Sequence, residues 1–160
     1  MHHVTFRVPS LDEACRHAAT HGYEVVGYDA SDPRWKEAFL HPKQALGIVV
    51  QLAEAAPEEP RRPRPVAAPG ATPGVQIVGL RLRAHLPEQA DTQWRDVLGA
   101  TRSVAPDGAL TYRWPASSMA ITVEIDPVRA QGPIAIEIRG ERAHAFVGTE
   151  CPAGMRFSLA

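Results

Sequence analysis

The chain has 160 residues, 44% of them hydrophobic, enough to bury one core of ordinary size as a single domain. Its 17 basic residues are balanced by 18 acidic ones, and a formal charge of −1 provides no field that would gather nucleic acid or an anionic membrane surface. The longest nearly apolar stretch, Ala45 to Ala53, falls far short of the roughly 20 residues of a spanning helix, and no basic segment leading into an apolar one opens the chain, so a cytoplasmic location is expected.

From His2 to Val8 the residues alternate, with His2, Val4, Phe6 and Val8 on one face of a strand and His3, Thr5 and Arg7 on the other. Pro9 ends it. Ser10 through Glu13 form a capping box that opens a helix to about His21, with Leu11, Ala14, Cys15 and Ala18 on its apolar side and Gly22 just beyond its end. Cys15 and Cys151 are too few for a disulfide framework and read as ordinary thiols. Extended segments follow at Glu24–Tyr28, Trp35–His41 and Gly47–Ala53, divided by turn signals at Ser31-Asp32-Pro33 and at Pro42. The order over residues 1–53 is β-α-β-β-β. Residues 54–74, with prolines at 57, 60, 63, 65, 69 and 73, read as an extended linker.

The pattern then restarts over residues 75–126. Val78, Leu80, Leu82 and Ala84 alternate with Gly79, Arg81 and Arg83; Pro87 to Leu98 has helical spacing with Trp94 inward; further strands fit Thr101–Val104, Leu110–Trp114 and Met119–Ile125. The stretch from Phe39 through Pro42 to Leu52 overlays Tyr112 through Pro115 to Ile125 without a gap, so Gln51 and Glu124 occupy matching places after their prolines. Counting back from the helices sets His3 against Gly79, Thr5 against Arg81 and Arg7 against Arg83. Two halves of one order imply two copies of one supersecondary unit. Residues 127–160 add strands at Gly132–Arg139 and Met155–Ala160, which extend a sheet or meet a second subunit.

The run His2-His3-Val4-Thr5-Phe6, the helix after it, and Phe39-Leu40-His41-Pro42-Lys43 leading to Gly47 through Leu52 resemble the vicinal oxygen chelate superfamily of glyoxalases, bleomycin-resistance proteins and extradiol dioxygenases. The N-terminal half looks most like methylmalonyl-CoA epimerases; the second half follows by repeat and element order alone. The resemblance implies an α+β fold in which two βαβββ modules form a curved mixed sheet around a cleft. It also implies a divalent metal held by His3, Gln51 and Glu124, or no metal at all, since Gly79 at the fourth position has no side chain to offer. Alternation agrees that His3, Gln51 and Glu124 face away from the apolar side of their strands. Such polar positions are also what a solvated strand face would carry.

Three readings follow. In the first, a metal-dependent epimerase, isomerase or lyase polarises a carbonyl while Glu124 acts as ligand or base in proton transfer. In the second, a metal-free protein of the bleomycin-resistance type sequesters a small molecule. In the third, the chain is the C-terminal piece of a longer protein whose partner module lies elsewhere. Arg81 and Arg83 could pair with a substrate anion, and Trp114 could line an apolar pocket or simply be core. His41 and Lys43 read as parts of a turn. A homodimer is expected, because paired modules of this superfamily often come from two chains.

Overall fold

The computed structural model describes residues 3–56, 74–150 and 155–160. Most of the proline-rich stretch, together with His2 and Cys151, lies outside them. The first half contains β1 (His3–Arg7), α1 (Leu11–Thr20), β2 (Val25–Asp32), β3 (Trp35–Leu40) and β4 (Val49–Ala55), in the expected order, with β4 running two residues past Ala53. These strands form a sheet ordered β1-β4-β3-β2, in which β1 runs parallel to β4 and the other pairs are antiparallel. The Ser10 side chain accepts from the Glu13 N–H, as the capping box requires. Glu54 of β4 adds a second tie, accepting from the Leu11 N–H at 2.8 Å and from the Lys36 ammonium at 2.6 Å, so the first turn of α1 is fastened to the sheet.

The second half contains β5 (Gln76–Ala84), α2 (Pro87–Ala90), β6 (Thr101–Val104), β7 (Leu110–Arg113) and β8 (Ala120–Ile125). The helix expected over Pro87–Leu98 is α-helical for its first turn alone; Asp91–Val97 winds more widely, as a π-helix. That widening turns the neighbours Gln93 and Trp94 both inward, where each is fully buried. The two later strands appear as expected: β9 (Gly132–Arg139) adds antiparallel to β5, and β10 (Arg156–Leu159) adds parallel to β9. The second sheet is ordered β10-β9-β5-β8-β7-β6. Among the described residues, no helix is long and apolar enough to cross a membrane.

One core joins the halves. Phe6 of β1 packs on Trp114 and Trp94 with ring centroids 4.9 and 6.2 Å away, inside a cluster that includes Leu11, Leu40, Val50, Leu52, Leu82, Tyr112 and Val123. Polar ties cross the same seam: the His17 ring donates to the Asp96 carbonyl at 2.8 Å. At Gly47, with φ of 74°, an added Cβ would stand 3.1 Å from the Gln131 carbonyl oxygen and 3.2 Å from the Gly132 Cα. Only glycine lets the β3–β4 turn seat so closely on the entrance to β9.

Strand pairing corrects the overlay of the halves. His3 lies opposite Val49, two residues before Gln51, whereas the residue opposite Thr122, two before Glu124, is Arg81. If Gln51 matches Glu124, the counterpart of His3 is therefore Arg81; if Gly79 keeps that place, Gln51 matches Thr122. The two expected equivalences exclude each other. The cause is the strand-to-helix connection: Phe6, opposite Leu52, precedes the start of α1 at Leu11 by five residues, but Ala84, opposite Ile125, precedes Pro87 by only three. Counting back from the helices therefore slips the second half by two.

Candidate functional site

The ligand-type residues occupy two patches of different chemistry. In the first half, Thr5 and Gln51 face each other across β1 and β4, and the Thr5 hydroxyl donates to Gln51 Oε1 at 2.6 Å. Gln51 Nε2 donates to Glu37 Oε2 at 2.6 Å, and the Trp35 indole N–H donates to the same oxygen at 2.8 Å. Gln51 is thereby buried, at 7% exposure, with both ends of its amide used. His3 stands exposed at the start of β1 on the same face.

In the second half the corresponding face is ionic. Arg81 Nη1 donates to Asp107 Oδ2 at 3.0 Å and to Glu124 Oε1 at 3.1 Å, while its Nε donates to Glu137 Oε1 at 3.1 Å. Glu137 comes from β9, is 4% exposed, and accepts a further bond from Thr122 Oγ1 at 3.0 Å. Burial works against the Arg81 cation, but its bonds to Asp107 and Glu124 and the charge of Glu137 outweigh it and hold its pKa above the ordinary arginine value. Asp107 is held below the usual carboxylate range by the Ala109 N–H and by Arg81. Arg83 lies beside this group, 3.8 Å from Glu124 Oε2 and from Asp126 Oδ2.

Gly79 owes its identity to the same cluster. A Cβ there would meet Glu137 Oε2 at 2.5 Å and the Ala120 carbonyl at 2.9 Å. The missing side chain at this position therefore leaves no hole, because the Glu137 carboxylate lies across it.

On the opposite, apolar face of β5 and β8, a cleft of about 540 Å³ runs between β1 and the second half. Val4, Phe6, Leu80, Met119 and Ile121 line it, Trp114 closes one side, and Arg7 stands at its border. The size is that of a small-molecule pocket. Trp114 is thus both a member of the core cluster and a wall of the cleft. Arg81, Arg83 and Glu124 are not among its lining residues.

Glu37, Asp107, Thr122 and Glu137 were not singled out from the sequence. Glu137 had a readable signal: it is the lone acid among Ile134, Ile136 and Ile138 in an alternating strand, the same pattern that marked Gln51 and Glu124. Asp107 had none, since it comes from a turn.

A divalent ion does not fit this donor set. Glu124 is already bonded to a guanidinium, and among the described residues no group of three or more His, Cys, Asp and Glu side chains is placed to hold a metal. Setting a second cation about 4 Å from Arg81 would cost on the order of 4 kcal/mol per unit charge at an effective dielectric of 20.

No protein-family model matches the chain, and no curated protein matches it. Solved structures do. A hypothetical protein from Staphylococcus aureus is 11% identical with a TM-score of 0.63, covering 99% of this chain and 66% of its own. The 2,2',3-trihydroxybiphenyl 1,2-dioxygenase of Sphingomonas wittichii is 15% identical with a TM-score of 0.57, covering 91% and 56%. The Mn(II)-bound glyoxalase of Novosphingobium aromaticivorans is 14% identical with a TM-score of 0.56, covering 84% and 44%. At such identities the likeness is one of fold, and this chain spans 44% to 66% of the length of these three.

Proposed function

The chain has the vicinal oxygen chelate fold, α+β with paired βαβββ modules, and on that premise we propose that it is a metal-independent small-molecule-binding protein of the bleomycin-resistance kind. The observation that carries this reading is the cleft of about 540 Å³ between the halves, walled by Phe6, Trp114, Leu80 and Ile121. Apolar walls with a few polar groups at the border are the usual make-up of a ligand pocket. Two kinds of polar group are available. Arg7 can pair with an anionic substituent. The Val8 N–H bonds to the Ala53 carbonyl, so the even-numbered residues of β1 are engaged with β4; the backbone groups of Thr5 and Arg7 point to the strand's open edge, beside the cleft. The ligand class that suits this lining is an aromatic or extended apolar molecule bearing one acidic group.

The enzymatic alternative assigns His3, Gln51 and Glu124 to a metal and Glu124 to proton transfer. What speaks against it is the bonding of those residues: Gln51 is tied to Thr5 and Glu37, and Glu124 to Arg81. As part of the same reading the protein acts as a homodimer in the cytoplasm, and light scattering after size exclusion tests the dimer.

The cleft is tested with 8-anilinonaphthalene-1-sulfonate, which is aromatic and anionic. Saturable binding unaffected by EDTA, at least tenfold weaker in Trp114→Ala and weaker in Arg7→Gln, is the expected result. Absence of saturable binding, or Mn²⁺-dependent turnover of a 2-oxoaldehyde or an acyl-CoA abolished in Glu124→Gln, would overturn the reading in favour of the enzyme.

A further inference from the structure

We propose that the Arg81 guanidinium is a resident cation in the second half's polar face, doing permanently what a bound divalent ion would otherwise do there: holding Asp107, Glu124 and Glu137 together. The inference shares the metal-independence of the proposed function but rests on different residues, on the opposite face of β5 and β8 from the cleft.

Three observations converge on Arg81. It is central: one guanidinium bonds three carboxylates from three separate segments, the β6–β7 turn, β8 and β9, at 3.0, 3.1 and 3.1 Å. It occupies the strand position that pairing makes equivalent to His3 when Gln51 is matched with Glu124. And the backbone has accommodated it, because Gly79 leaves room for the Glu137 carboxylate to lie across β5 and reach Arg81 Nε while taking a second bond from Thr122. Glu137 shows why a cation must be present. Its side chain is 5% exposed, and a carboxylate that deeply buried is costly unless paired.

The chemistry of the cage follows. Three carboxylates and a threonine hydroxyl form a hard oxygen set, the type that takes Mg²⁺, Mn²⁺ or Ca²⁺. A planar guanidinium is broader than such an ion, so it holds the oxygens farther apart than coordination allows, and no three acidic groups among the described residues stand at metal-binding separation. Asp107 sits on a turn and is half exposed, and with its Oδ1 on the Ala109 N–H its Oδ2, which meets Arg81, is the oxygen left for an ion once the arginine is gone. The arginine and a divalent ion are therefore mutually exclusive occupants.

The test is Mn²⁺ titration by calorimetry, with electron paramagnetic resonance, on the full chain without a histidine tag, in wild type, Arg81→Ala and Arg81→Ala/Glu137→Gln. Wild type is expected to show no saturable site and a melting temperature indifferent to EDTA. Arg81→Ala is expected to bind one Mn²⁺ per chain, on the order of 1000-fold or more tighter than wild type, as expected from removing a cation some 4 Å away. Mn²⁺ should raise its melting temperature, and the double variant should lose the gain. Stoichiometric Mn²⁺ in wild type that disappears in Glu124→Gln would overturn the proposal, as would a folded Arg81→Ala that binds none. An Arg81→Ala chain that stays unfolded even in millimolar Mn²⁺ also counts against it, because an ion able to replace the guanidinium should restore the fold. None of these outcomes depends on the cleft: failure to bind the naphthalene sulfonate removes the proposed function and leaves Arg81's role standing.

Discussion

The two polar faces have the same backbone frame, a parallel pair of strands with side chains meeting across it, yet one is close to neutral and the other ionic. In the first, Thr5, Gln51, Glu37 and Trp35 pass hydrogen bonds along a chain containing a single formal charge. In the second, Arg81 gathers Asp107, Glu124 and Glu137. The difference shows that a repeated supersecondary unit sets positions and not chemistry. A buried glutamine is satisfied by one hydroxyl and one carboxylate and needs no cation, whereas a buried carboxylate demands a cation and, here, a glycine to make room.

The sharpest way to break this contrast is to close the room. Gly79→Ala puts a Cβ 2.5 Å from Glu137 Oε2 and 2.9 Å from the Ala120 carbonyl. It should cost about 3 kcal/mol in chemical denaturation, at the upper end of what overpacking produces, because the carboxylate cannot retreat without leaving Arg81 or Thr122. A cost under about 0.5 kcal/mol would mean the ionic face is loose.

Next in size is Gln51→Glu, which makes the first face resemble the second in charge without supplying an arginine. The variant loses the donor to Glu37 and sets a carboxylate against a carboxylate, so a loss of about 1–2 kcal/mol is expected near neutral pH. Like-charge crowding raises the folded-state pKa of the pair above its unfolded value. The destabilisation is therefore present at higher pH and fades as pH falls into the carboxylate range, near 4. A pH-independent loss would show that the donor alone mattered.

The smallest effect concerns Glu54, outside both faces. The Leu11 N–H first, and the Lys36 ammonium second, hold its carboxyl below the usual range. A folded pKa below the unfolded one gives stability that is present above the unfolded value and is lost as pH drops through the folded one. Glu54→Gln should therefore lower the melting temperature slightly at pH 7, leave it nearly unchanged at the acid end, and so flatten part of the acid-side decline, which differential scanning calorimetry would register.

Much of this was legible in the residues. Alternation located β1, β5 and β9, the capping box started α1, and the restarted pattern after the prolines revealed two like halves. The slip of two residues between His3 and Gly79 was not legible, because the helices offered the only visible landmark and the second one starts sooner relative to its sheet. Nor was the widened helix at Asp91–Val97, since burial of both Gln93 and Trp94 is decided by what packs around them.

By itself, then, the sequence determined the α+β class, the repeat, the strand faces and the kinds of side chain each face presents, because these depend on local periodicity and capping. Only the tertiary structure decided partners: that Glu137 of an added strand lies over Gly79, that Asp107 reaches Arg81 from a turn, and that Phe6 meets Trp94 and Trp114 across the seam. Pairing between residues 26 to 108 positions apart is set by how sheets stack and extend, and no local pattern records it.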